Sequence, residues 1–172
     1  MRRWRDDDLE PWAAMNADPH VMRFFPSVNT AEKAKEVADR ARALLERDGY
    51  GWWVAEIKGG APFAGVIALQ EVPFVAKFTP AVEIGWRLAP AFWGRGYATE
   101  GARRVLAFAF GELGLSEVVA MTAAINEPSR RVMERLGMTY DPRDDFEHPK
   151  VEAGHAVRPH VLYRIAAPKK TV

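Results

Sequence analysis

One stretch, residues 81–137, constrains the fold of this chain more than any other. Its first nine residues, AVEIGWRLA, alternate in polarity, which is typical of a strand with one buried face. The apolar positions are Val82, Ile84, Trp86 and Leu88, and the other face carries Glu83, Gly85 and Arg87. A glycine-containing loop, a long apolar helix, a second strand and a second helix follow. The stretch therefore predicts a strand–loop–helix–strand–helix unit.

The loop of this unit, residues 90–100, has the sequence PAFWGRGYATE. Gly94 and Gly96 allow the backbone to approach a ligand closely. The helix that follows directs its unpaired N–H groups at the same place. The loop therefore predicts an anion site that holds phosphates without much side-chain charge.

The second half of the unit is a strand over residues 117–124 and a helix that ends at Leu136-Gly137. Asn126-Glu-Pro-Ser129 opens this helix. Asn and Ser favour the first turn of a helix, so capping is one interpretation of Asn126 and Ser129.

These motifs, in this order, resemble the GNAT superfamily of acetyl-CoA-dependent N-acetyltransferases, and in particular its RimJ/RimL-like branch. The matching residues are EIGW from Glu83, WGRGYATE over residues 93–100, and Asn126-x-x-Ser129 through Leu136-Gly137-Met138. The resemblance covers most of the chain, and the linked order is far more specific than any one motif. It implies an α+β fold: a single GNAT-like domain with a mixed, mostly antiparallel central sheet flanked by helices, and a strand–glycine loop–helix site for acetyl-CoA.

Length and composition agree with one domain over residues 1–172. A formal charge of +1, from 24 basic and 23 acidic residues, argues against a nucleic-acid-binding protein. The absence of cysteine excludes disulfides, thiolate metal sites and a cysteine nucleophile. The first residues contain no apolar targeting segment, and no run of about 18 apolar residues occurs. We therefore expect a cytoplasmic protein with no membrane partner.

The remaining elements are predicted from periodicity and from breaking residues. They are a helix from about Leu9, a helix that begins at a capping box Asn29-x-x-Glu32 and ends at Gly49, strands at 52–58, 61–71 and 81–89 in a meander, a loop over 70–80, a turn-rich loop over 141–159, and a last strand at 160–165. The resemblance implies that the first helices and the loops around 24–26, 74–80 and 144–159 form the acceptor pocket.

Acetyl transfer from a thioester to an amine has three chemical requirements. The amine must be neutral, although an α-amine has a pKa of about 8 and a lysine of about 10.4. The oxyanion of the tetrahedral intermediate needs a hydrogen-bond donor. The leaving thiolate, with a pKa of about 8.5, needs only a weak acid.

Glu83 is the first candidate for the base that takes the amine proton. The resemblance supports this, because family members often carry a glutamate on this central strand. The alternative is a structural glutamate paired with Arg87 on the same face. Glu71, at the end of the preceding strand, is the second candidate base.

The resemblance also assigns residues to acetyl-CoA. The oxyanion donor would be a main-chain N–H near Leu88 or Ala89. The pyrophosphate would bind the backbone amides of Trp93, Gly94, Arg95, Gly96, Tyr97, Ala98 and Thr99. Trp93 stands where the superfamily usually has Gln or Arg.

The acid that protonates the leaving sulfur is assigned in the same way. Many superfamily members have a tyrosine at the position of Met133, and Met133 has no proton to give. The RimJ/RimL-like branch instead has the asparagine and serine found here. Asn126 would bind the pantetheine amide, and Ser129 would protonate the thiolate or donate a hydrogen bond to it.

Three functions are weighed. The first is an N-acetyltransferase that moves acetyl from acetyl-CoA to a primary amine, on a protein N-terminus or a small molecule, by direct attack through a tetrahedral intermediate. The second is a non-catalytic acyl-CoA-binding sensor or interaction module. The third, a dinucleotide-binding domain, is disfavoured because Thr99 replaces the third glycine of that motif. No metal is expected, because the acids and histidines of residues 144–155 match no standard motif, and a homodimer is compatible with the resembled family.

Overall fold

The computed structural model describes residues 1–169. Its helices are α1 (Leu9–Ala17), α2 (Pro19–Met22), α3 (Ala31–Asp48), α4 (Tyr97–Gly111) and α5 (Glu127–Arg135). Its strands are β1 (Trp52–Ala55), β2 (Gly65–Glu71), β3 (Val82–Leu88), β4 (Glu117–Ala123), β5 (Thr139–Tyr140), β6 (Phe146–Glu147) and β7 (Pro159–Ala166). None of the helices within residues 1–169 is long and apolar enough to cross a bilayer.

The strands form one mixed sheet in the order β1-β2-β3-β4-β7-β5, and β6 pairs with β7. The β3–β4 pair is parallel, and the other pairs are antiparallel. The predicted meander of the first three strands and the mostly antiparallel sheet are therefore confirmed.

Each face of the sheet is covered by its own helices. On one face, Ile84 and Leu88 of β3 pack in a core with residues of α4 and α5. On the other face, Val54 and Val66 pack against α1 and α3 around the fully buried Trp12. The Trp12 Nε1 donates to the Ala34 carbonyl at 2.8 Å, which ties α1 to α3. On this second face α3 packs mainly on β1, so the polar face of β3 lies at the edge of the helical layer.

Several details differ from the sequence-based expectations. β1 ends at Ala55 and β2 begins at Gly65, so the predicted strands 52–58 and 61–71 were too long at their connection. The N-cap of α3 is Thr30, whose Oγ1 accepts from the Lys33 N–H at 3.2 Å, so the predicted cap at Asn29 was wrong by one residue. The Asn29 Nδ2 instead donates to the buried Asn16 Oδ1 at 3.2 Å. The segment 141–159, predicted as a loop, contains β6, which pairs with the start of β7.

Candidate active site

A gap opens between β3 and β4. These parallel neighbours share one residue pair, Glu83 with Val119. Beyond this pair β3 continues along β2 as far as Leu88, and β4 continues along β7. The backbone groups on the β4 side of β3 therefore have no strand partner toward the end of β3.

Leu88 directs its backbone N–H into this gap. The next residue, Ala89, donates its N–H to the Ala64 carbonyl on the β2 side at 2.9 Å. Because successive residues of a strand point their N–H groups in opposite directions, the Leu88 N–H points toward β4. Gly65 lies beside it, and a Cβ there would come within 2.2 Å of the Arg87 carbonyl oxygen. The two backbones thus approach closely at the end of β3, where the Leu88 N–H has no strand partner among residues 1–169.

The glycine loop connects the end of β3 to α4. Gly94 and Gly96 have φ of +72° and +83°, the left-handed conformation that glycine adopts at little cost. Gly96 is the N-cap of α4, and no side chain caps it. The first helical hydrogen bond runs from the Glu100 N–H to the Gly96 carbonyl at 2.9 Å. The N–H groups of residues 97–99 therefore have no acceptor within the helix, as an anion cradle requires.

Trp93 holds this loop in place. Its Nε1 donates to the Leu88 carbonyl at 2.7 Å, so the side chain joins the loop to the last residue of β3. Its ring lies against His20 of α2, with centroids 5.0 Å apart, and beneath the Arg23 guanidinium at 4.9 Å. Trp93 thus has a structural role where the superfamily usually has Gln or Arg. Of the other predicted cradle residues, Gly94, Arg95 and Gly96 are exposed, Tyr97 and Ala98 are partly buried and Thr99 is buried.

Glu83 lies on the polar face of β3 and is fixed by two hydrogen bonds in series. The Gln70 Nε2 donates to Glu83 Oε1 at 2.7 Å, and the Trp52 Nε1 donates to Gln70 Oε1 at 2.7 Å. An indole N–H can only donate, so it determines which end of the Gln70 amide faces the carboxylate. Burial raises the pKa of the Glu83 carboxyl, while the Gln70 hydrogen bond and the Lys150 charge act in the opposite direction. The alternative pairing of Glu83 with Arg87 is not formed, because the Arg87 Nη1 donates to Asn16 Oδ1 instead.

The structure separates Glu71 from Glu83. Glu71 is exposed and pairs across the strands with Val82, so it lies on the opposite face of the sheet. Gln70 is the β2 residue directly opposite Glu83, on the same face. Sequence reasoning missed Gln70 because the register between β2 and β3 was not known. Pairing β2 with β3 as a hairpin would have identified Gln70 as the residue opposite Glu83.

Asn126 and Ser129 open α5 as the sequence predicts. The Asn126 Oδ1 accepts from the Ser129 N–H at 3.3 Å, and its Nδ2 donates to Thr122 Oγ1 at 2.8 Å. Asn126 is therefore a helix cap. The Ser129 side chain is partly buried, and no hydrogen bond from its hydroxyl occurs within residues 1–169. Met133 is buried in the core, where it has no access to a reacting group.

An aromatic cluster lies on the side of the predicted acceptor loops. Its members are Phe74, Phe78, Phe146, His148 and His160. The Phe78 and Phe146 rings are 5.0 Å apart, and His148 and His160 are 4.8 Å apart. Burial lowers the pKa of His148 to about 4, with a further contribution from His160. A cavity of about 400 Å³, bounded by residues 75–78 and 143–147, opens beside the cluster. No group of three or more potential metal ligands occurs within the described part of the chain.

Comparison with known proteins gives concordant results. A model of the acetyltransferase (GNAT) domain matches residues 1–139. The FsC-acetyl coenzyme A-N(2)-transacetylase of Aspergillus fumigatus is 38% identical over 133 residues, which is 73% of this chain. The match spans 56% of the length of that protein.

Solved structures share the fold over nearly the whole chain. A GNAT-family acetyltransferase from Bacillus anthracis superposes with a TM-score of 0.77 at 25% identity, covering 96% of this chain and 92% of that one. Mycobacterium smegmatis RimJ in complex with CoA-disulfide superposes with a TM-score of 0.74 at 22% identity, covering 96% and 80%. RimJ is thus among the proteins that share this architecture.

Proposed function

The chain belongs to the GNAT family of acetyltransferases, and from that membership we propose that it transfers the acetyl group of acetyl-CoA to a primary amine. The observation that carries the proposal is the start of α4. Two left-handed glycines and a helix end without a capping side chain lie beside the β3–β4 gap, to which the Trp93–Leu88 hydrogen bond joins them. This is a site for a diphosphate next to a slot for an extended chain.

The binding of acetyl-CoA follows from these features. The N–H groups of residues 97–99 bind the diphosphate, because the helix dipole and the free donors both favour an anion there. The gap between β3 and β4 holds the pantetheine. Asn126, whose Nδ2 donates to Thr122 Oγ1 of β4, lies next to the β4 side of the gap and binds the pantetheine amide. The Leu88 N–H donates to the thioester oxygen and stabilises the oxyanion of the tetrahedral intermediate.

Glu83 accepts the proton of the attacking amine, directly or through water. Its burial raises its affinity for that proton, and Gln70 and Lys150 limit the rise so that the carboxylate stays available as a base. Glu71 has no such role in this proposal, because it lies on the other face of the sheet. Ser129 donates its hydroxyl proton, or a hydrogen bond, to the sulfur as the carbon–sulfur bond breaks and CoA leaves.

The acceptor is an amine on a protein N-terminus or on a small molecule. The similar proteins include both an N(2)-transacetylase and RimJ, which supports this class without choosing between its members. A cytoplasmic location, a homodimer and one domain over residues 1–172 stay predictions.

Thiol release tests the proposal. The full chain is mixed with acetyl-CoA and a panel of primary amines, and free CoA is followed with time, while calorimetry measures CoA binding. We expect binding together with amine-dependent thiol release. Binding without turnover on any amine would favour the sensor or interaction module, and no binding would contradict both functions.

A further inference from the structure

Arg87 is a partly buried cation for which the proposed chemistry has no use. It lies on the same face of β3 as Glu83, with Gly85 between them. Its Nη1 donates to Asn16 Oδ1, while its Nε is buried and has no hydrogen-bond partner within residues 1–169. Burial lowers the pKa of the Arg87 guanidinium to about 10. A neutral residue could make the bond to Asn16, so that bond alone does not account for a charge here.

The surroundings of Arg87 contain aromatic rings and amides. The guanidinium lies 4.1 Å from the centroid of the Phe25 ring and 5.4 Å from that of Trp12. Asn16 comes from α1, and Val66 of β2 lies opposite Arg87 across the strands. Among the described residues, no carboxylate forms an ion pair with it. Cation–π contacts offset part of the desolvation, but buried arginines are normally paired with an anion.

The space between Glu83 and Arg87 is open. A Cβ built on Gly85 would meet no atom within 4 Å, so a ligand can lie directly on the strand there. Four residues of strand place the two Cα atoms about 13 Å apart, and both side chains are long enough to reduce that separation at their charged ends. A negative and a positive group thus stand at the two ends of a free stretch of β3.

We propose that Arg87 binds a carboxylate of the acceptor, so that the preferred substrates are amines that carry a carboxylate several bonds from the reacting nitrogen. This inference rests on the proposed function, since the Leu88 N–H defines where the thioester, and therefore the attacking amine, lies. The amine then reacts beside Leu88, Glu83 takes its proton through water, and the carboxylate lies at the neighbouring Arg87 guanidinium. The planar fork of Arg87 suits a carboxylate better than a lysine would.

Matched acceptors test the inference on the full chain. Glycylglycine and triglycine present an α-amine and a carboxylate at two spacings, and glycylglycinamide and triglycinamide are their neutral counterparts. Assays at about pH 9 keep most of each amine unprotonated. We expect kcat/KM to favour one or both carboxylates over their amides by roughly 10- to 100-fold.

The variant Arg87→Gln should abolish that preference, so that each acid and its amide react with similar kcat/KM. Arg87→Lys, which keeps the charge and loses the fork, should retain part of it. Arg40→Gln is the matched control, because Arg40 is an exposed arginine of α3 on the same side of the sheet. It should leave the preference unchanged.

Three results would overturn the inference. The first is no carboxylate preference in the wild-type protein, and the second is a preference that persists in Arg87→Gln. The third is an equal loss of kcat/KM with acids and amides in a folded Arg87→Gln, which would make Arg87 an anchor for α1. The wild-type comparison decides even if Arg87→Gln does not fold. Acetylation of amides and acids alike would retain the proposed function and reject this inference, whereas no acetylation of any amine would reject both.

Discussion

Gln70 and Glu83 face each other across β2 and β3, and the Gln70 Nε2 donates a 2.7 Å hydrogen bond to Glu83 Oε1. The Trp52 Nε1 donates to Gln70 Oε1 and so fixes the orientation of the Gln70 amide. The proposed base is therefore held by a neutral donor and not by a cation. A neutral donor positions the carboxylate while it leaves more of its basicity intact than an ion pair would.

Gln70→Leu should move the acid limb of the pH–kcat/KM profile to higher pH. Burial already raises the pKa of Glu83, and the lost hydrogen bond is one of the two influences that lower it. The ionised base is then present only at higher pH. Glu71→Gln is the control, since Glu71 neighbours Gln70 in sequence but lies on the other face. An identical profile in Gln70→Leu would show that the hydrogen bond does not tune the base.

Glu83→Gln should lower kcat by about 10²- to 10⁴-fold, the usual contribution of a general base. Calorimetry should find the CoA dissociation constant unchanged, because the proposed phosphate cradle consists of backbone groups of another segment. Glu71→Gln should keep the wild-type kcat. Parallel losses of turnover and CoA affinity in Glu83→Gln would contradict the assignment of the base.

Gly96→Ala should weaken CoA binding by about tenfold or more. Alanine at a left-handed φ costs about 1 kcal/mol, and the helix start would shift away from the anion. Gly49→Ala is a close match, because Gly49 ends α3 at φ +74° and an added Cβ meets nothing within 4 Å. Chemical unfolding should show similar destabilisation of both variants. If Gly49→Ala also loses CoA affinity, the effect is one of stability and not of the cradle.

Ser129→Ala should reduce the rate at saturating acetyl-CoA and amine by about tenfold, within the range for loss of a proton donor or a hydrogen bond to the leaving group. The α5 cap depends on the Asn126 side chain and on the Ser129 main chain, so it should survive the change. Asn126→Ala should instead lower the free energy of unfolding by about 1 kcal/mol. An unchanged rate in Ser129→Ala would remove the hydroxyl from the mechanism.

The free energy of unfolding should fall between about pH 6.5 and pH 4 as His148 titrates. Burial among Phe74, Phe146 and His160, with Lys150 nearby, holds the pKa of His148 at about 4 when the protein is folded. The unfolded chain therefore binds a proton first, which favours unfolding as the pH drops. Urea titrations at about pH 7 and about pH 5 should show a smaller difference for His148→Asn than for the wild type. His20→Asn, a change at an exposed histidine of α2, should behave like the wild type.

The parts of the fold that the sequence predicts are those with local signals. Three such signals each predict their local structure from a few neighbouring residues, and the structure contains all three. They are the alternation of residues 82–88, the two glycines before α4 and the Asn126 cap. The two-residue strands β5 and β6 have no such signal. They exist because β7 offers them hydrogen bonds, which is a tertiary effect.

The candidate site is predictable to the same degree. The glycine loop and the start of α4 are contiguous in sequence, so a local pattern predicts their conformation, whereas the environment of Glu83 depends on register. A shift of one residue between β2 and β3 would exchange Gln70 and Glu71, so periodicity alone could not choose between them. The environment of Arg87 depends on Asn16, 71 residues earlier in the chain, and no local pattern contains that contact.

Helix α4 begins at a glycine that has no side-chain oxygen to cap its first turn. A serine, threonine or aspartate side chain often caps that end of a helix, and in the proposed complex the diphosphate of acetyl-CoA takes its place. Occupancy and folding are consequently linked: the cosubstrate protects the chain against heat and proteases in proportion to its concentration. The protein would therefore be more stable against unfolding in a cell with a high acetyl-CoA concentration than in one with a low concentration.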